Sequence, residues 1–80
     1  MIILDDFRVI VLEALKSIQK KADVSISDAQ DFTDYGLDSL DGMSLLLEIE
    51  KKTDFEFSES FDLTDHNSIE LLYAYLEKNI

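Results

Sequence analysis

The sequence predicts an all-α fold: a small bundle of three main helices plus one short helix, with a long loop between helices one and two. Two observations lead to it. Proline is absent and glycine occurs only twice, at Gly36 and Gly42; these are the residues least suited to a helix interior. Three stretches also repeat apolar residues at three- and four-residue spacing, the period of a helix buried along one stripe. A chain of 80 residues has room for one modest core, so residues 1–80 are expected to form a single domain.

The first helix is expected over residues 3–21, with Ile3, Phe7, Val11, Ala14, Leu15 and Ile18 as its stripe. Asp5 and Asp6 near its start and Lys16, Lys20 and Lys21 near its end suit the helix dipole. Residues 22–37 have no clean period. Val24 and Ile26 alternate with polar residues, and the rest reads as loop, pinned to the core by Phe32, Tyr35 and Leu37. Loops this long are uncommon in small domains unless functional. Gly36 supplies a positive-φ turn before the next helix. Helix two is expected over 39–53, with Asp38 as N-cap and Asp41 completing a variant capping box. Phe55 and Phe57 alternate in the following segment, and a one-turn or irregular piece is expected around 59–65. The last helix is expected over 68–79, with Ile69, Leu72, Tyr73 and Leu76 inward and Asn67 with Glu70 as a capping box.

Charge narrows the function classes. The chain has 18 acidic and 7 basic residues, a formal net charge of −11. Nucleic acids and anionic membranes repel such a surface, whereas partners with basic surfaces are steered toward it. No cysteine is present, so neither a disulfide framework nor a thiolate metal site exists. The opening Met1-Ile2-Ile3-Leu4 is too short for a signal sequence, and no apolar run approaches membrane-spanning length. The protein is therefore expected to be cytoplasmic, monomeric and not inserted in a membrane. An EF-hand loop begun at Asp31 fails, because Tyr35 and Gly42 stand where oxygen ligands are needed. No specific metal site is expected, only weak and diffuse divalent binding among the carboxylates.

Helix two carries two apolar arcs when drawn at about 100° per residue. Gly42, Leu45, Leu46 and Ile49 share one, a core face on which Gly42 allows a neighbour close. Leu40, Met43 and Leu47 share the other, flanked by Asp41, Ser44 and Glu48 on one side and Glu50 on the other. A surface helix needs one stripe. The second reads either as burial on both sides or as an exposed docking strip with an acidic rim, and the second reading is preferred because the strip begins beside Ser39.

Ser39 lies between Asp38 and Leu40 at the helix start. It lacks the surroundings of a nucleophile: no base stands close in sequence, His66 is the sole histidine, and Leu37 and Asp41 occupy the glycine positions of a nucleophile elbow. Asp38 already serves as the cap. A modification site remains, at a helix end whose free N–H groups and dipole favour an anion.

The stretch DYGLDSLDGMSLLLEIEKK, together with the closing S-I-x-x-L-x-x-Y-L pattern of Ser68–Leu76, resembles the acyl carrier protein family over nearly the whole chain. The resemblance implies a non-catalytic carrier. Ser39 would accept 4′-phosphopantetheine from coenzyme A through a phosphopantetheinyl transferase, and the arm would hold acyl groups as thioesters. It implies that Leu40, Met43 and Leu47, with Asp38, Asp41 and Glu50, dock acyl-loading and acyl-processing enzymes of fatty-acid, polyketide or specialised lipid biosynthesis. Leu45, Leu46 and Ile49 would line an interior that can shelter the acyl chain. Ser44, Gly42, Lys51, Lys52 and Thr53 depart from the housekeeping fatty-acid carriers, which points to a specialised pathway. The alternatives are an aminoacyl or peptidyl carrier loaded by an adenylating enzyme, although Gly36-Leu37-Asp38-Ser39 is closer to the acyl type, and an acidic interaction module whose serine is never modified.

Overall fold

The computed structural model describes residues 2–79. In chain order its elements are α1 (Leu4–Gln19), α2 (Phe32–Tyr35), α3 (Ser39–Thr53), a 3-10 turn (Leu63–Asp65) and α4 (Ile69–Asn79). No strand forms among the described residues. The all-α bundle with three main helices is as expected. Two short elements accompany them rather than one, because α2 lies within the segment expected to be loop.

Helix α1 packs against both α3 and α4. Its Phe7, Val11, Ala14 and Leu15 meet Leu45 and Ile49 of α3 and Ile69, Leu72 and Leu76 of α4 in one buried cluster. Ile3 does not join the stripe. It is the extended N-cap residue and is 61% exposed, because the helix begins one residue later. The helix also ends early, at Gln19. Lys20 turns left-handed at φ 54° and gives its N–H to the Lys16 carbonyl, so Lys20 and Lys21 lie beyond the helix.

The long loop is held by polar bonds as well as by apolar anchors. Arg8 donates from Nε and Nη2 to the two Asp28 carboxylate oxygens at 2.8 and 2.6 Å. The Arg8 guanidinium holds the Asp28 carboxyl below the usual carboxylate range. The Asp28 carbonyl accepts the Glu70 N–H at 2.9 Å, and Asp31 accepts from Asn67 Nδ2 at 2.6 Å. Phe32 and Leu37 are buried in the core and Tyr35 packs against it, so the expected anchors hold.

The expected Asn67–Glu70 capping box does not form. Asn67 spends its amide on Asp31 and its carbonyl on the Phe32 N–H. Ser68 caps α4 instead, its hydroxyl accepting the Leu71 N–H at 3.2 Å. Between α3 and α4, Phe57, Phe61, His66 and Tyr75 form an aromatic cluster with ring centroids 4.7–6.0 Å apart.

Candidate functional site

The site grows from the turn that starts α3. Gly36 closes α2 at φ 111° and gives its N–H to the Phe32 and Thr33 carbonyls. That left-handed conformation favours glycine. It sends Leu37 into the core and leaves Asp38 extended as the N-cap. The Asp38 carboxylate accepts the Asp41 N–H at 2.9 Å, and Asp41 accepts the Asp38 N–H at 3.4 Å. The capping box expected from Asp38 and Asp41 is therefore present. Ser39 follows as the first residue of the helix, exposed, in the turn whose leading N–H groups have no intrahelical partner.

Ser39 also lies on the lip of a crevice of about 440 Å³, within the size range of small-ligand sites. Met43 and Leu46 of α3, Phe32 and Leu37 from the turn before it, and Phe61 and Leu63 from the segment before α4 line it. Asp38 and Asp62 are its carboxylates; no lysine or arginine lines it. The Thr64 hydroxyl and N–H bond Asp62 and hold its carboxyl below the usual range. Leu46, assigned to the core face by its spacing, is half-buried and faces this crevice, whereas Leu45 and Ile49 are sealed in the core and do not reach it. The crevice therefore lies beside the core rather than inside it. Its second wall escaped the sequence reading because residues 61–67 have no helical period.

The second arc of α3 faces water. Leu40, Met43 and Leu47 are 74%, 63% and 58% exposed. Burial of the helix on both sides is excluded by these values, and the apolar strip stands open. Asp38 and Asp41 lie at its upper end. Glu50 lies at its lower end with part of its capacity committed, since Oε2 accepts the Phe57 N–H at 2.8 Å. A shallow groove of about 470 Å³ runs beside the strip between Leu47, Glu48, Glu50 and Glu56.

His66 takes no part at Ser39. Its ring stacks on Phe61 at 5.1 Å and meets Tyr75 at 5.0 Å. Among the described residues no three acidic or histidine side chains converge to hold a metal, and no helix is long and apolar enough to cross a membrane.

Comparison with protein families finds one described as "Phosphopantetheine attachment site", whose model matches residues 9–76. The matched span includes the whole of α2 and α3, the crevice and most of α4. Comparisons with curated proteins and with solved structures give no significant match. With most of its length matched, the chain belongs to the phosphopantetheine-attachment family, whose members bear covalent 4′-phosphopantetheine and serve as carriers.

Proposed function

We propose that Ser39 is the attachment point and that the protein is a non-catalytic carrier of acyl groups for a specialised lipid, fatty-acid or polyketide pathway in the cytoplasm. The observation behind this reading is one position: an exposed serine, first in α3, on the lip of an apolar crevice. The residues fit the prosthetic group. A phosphodiester on Ser39 Oγ would stand at the positive end of α3. An arm fixed there has the crevice at its root. The chain has no cysteine, and the arm supplies the thiol a thioester requires. In the loading step Ser39 Oγ bonds to the phosphorus of the pantetheine half of coenzyme A. The nucleotide half leaves, and the serine proton passes to a base on the transferase.

The strip of Leu40, Met43 and Leu47 with Asp38, Asp41 and Glu50 docks the transferase and the acyl-loading enzymes. Its apolar centre and acidic rim suit partners with a basic surface around an apolar pocket. Incubation with coenzyme A and a broad-specificity phosphopantetheinyl transferase should add one phosphopantetheine to the intact mass, and Ser39→Ala should abolish the gain. A mass gain that survives Ser39→Ala refutes the assignment, as does none with several transferases.

A further inference from the structure

We infer that Leu63, seated on Gly42, sets the length of acyl group that the crevice takes, and that the crevice takes uncharged groups. This rests on the reading of Ser39 as the attachment point. A Cβ at position 42 would lie 2.7 Å from Leu63 Cδ2, so the Leu63 side chain lies directly on the backbone of α3. Glycine inside a helix is unfavourable relative to alanine; here it admits that contact. Gly42 and Leu63 both line the crevice.

The backbone that carries Leu63 is fixed. Asp62 accepts the Thr64 N–H and hydroxyl at 2.9 and 2.6 Å. The Leu63 carbonyl accepts the His66 N–H at 3.0 Å. Asn67 ties the end of the segment to Asp31 and Phe32. These bonds hold the turn against α3, with the half-buried Leu63 side chain turned into the crevice lining. The room in the crevice therefore depends on the bulk of Leu63 and on the space that Gly42 leaves it.

The charge class follows from the lining. Beside its apolar surface the crevice offers the carboxylates of Asp38 and Asp62 and the neutral side chains of Thr33, Thr64 and Asn67, of which Thr64 and Asn67 already donate to Asp62 and Asp31; no lysine or arginine lines it. With the start of α3 already facing the phosphodiester on Ser39, a carboxylate entering the crevice would lose water without gaining a cation and would meet charge of its own sign. A dicarboxylic acyl group stays in solvent; a plain acyl chain of matching length enters.

The test loads the full chain at Ser39 from coenzyme A thioesters running from acetyl to palmitoyl, with succinyl beside butanoyl. Two quantities are read for each: the thioester half-life in hydroxylamine, and the denaturant midpoint relative to the unacylated form of the same variant. Both should rise with chain length, half-life several-fold, and then level off. Leu63→Ala should move the levelling point to longer chains and Gly42→Ala to shorter ones. Leu63→Val, a smaller deletion, should shift it in the same direction as Leu63→Ala if that variant does not fold. Succinyl should behave as acetyl does. A levelling point unchanged in all variants, or succinyl sheltered as well as butanoyl, overturns the inference with the carrier reading intact. Failure of Ser39 to take any group overturns both.

Discussion

The Asp28 carboxylate receives Nε and Nη2 of Arg8, while its backbone carbonyl accepts the Glu70 N–H. One loop residue thus ties α1 to the start of α4. Its carboxyl sits below the usual range because of Arg8, so the folded state holds that proton less tightly than the unfolded chain. The resulting stability is present above the unfolded value near about 4 and is lost as pH falls through the lower folded value. Asp28→Asn should lower the denaturant midpoint at neutral pH, and the gap from wild type should shrink below about pH 4. A gap independent of pH would contradict the ion-pair account. Lys20 holds φ 54° at the end of α1, where a side chain is unfavourable. Lys20→Gly should raise stability by about 0.5–1 kcal/mol, the relief of the left-handed conformation less the entropy of a freer unfolded chain, read from denaturant melts. Gly36, Asp38 and Asp41 were legible in the sequence because their partners lie within a few residues. Asp28 and Asn67 were not, since their side-chain partners stand 20 and 36 residues away and polar loop residues carry no periodic signal.

Among the elements, α3 most directly links sequence pattern to function, because its two arcs have opposite fates. Leu45 and Ile49 are fully buried, and Leu47 is exposed. Leu45→Ala should cost about 2–5 kcal/mol, as a large-to-small change in a packed core does. Leu47→Ala should change stability by about 0.5 kcal/mol or less, yet slow transfer of the prosthetic group, because an apolar contact central to an interface can dominate its energy. Denaturant midpoint set against modification rate for the two variants separates these roles. Loss of stability in Leu47→Ala without loss of rate would remove the docking strip. The three long helices were legible because each repeats its apolar stripe over several turns. The single turn α2 and the 3-10 turn are too short to repeat anything, and their geometry comes from caps and tertiary contacts. The crevice wall at Leu63 was hidden for the same reason, although Gly42 in mid-helix was the local sign that something approaches α3 closely.

For the whole molecule, a net charge of −11 sits on a body with a radius of gyration of 11.5 Å and a longest extent of 30 Å. At an ionic strength of about 0.01 M the screening length is about 30 Å, so charges across the molecule repel one another; at about 0.1 M it is about 10 Å. Four ion pairs among the described residues offset little of this. The melting temperature should therefore rise by several degrees between these salt concentrations, and a flat response would mean that the carboxylates are already compensated. On the proposed function, the same surface charge would steer partners with basic surfaces toward α3, where Ser39 begins the helix. The proposed carrier role turns on one oxygen, Ser39 Oγ. Its most direct test is the fragment-ion mass spectrum of the protein after reaction with coenzyme A and a phosphopantetheinyl transferase. The whole of the added mass should lie on Ser39; its appearance on Ser44, Ser17 or any other residue would contradict the account.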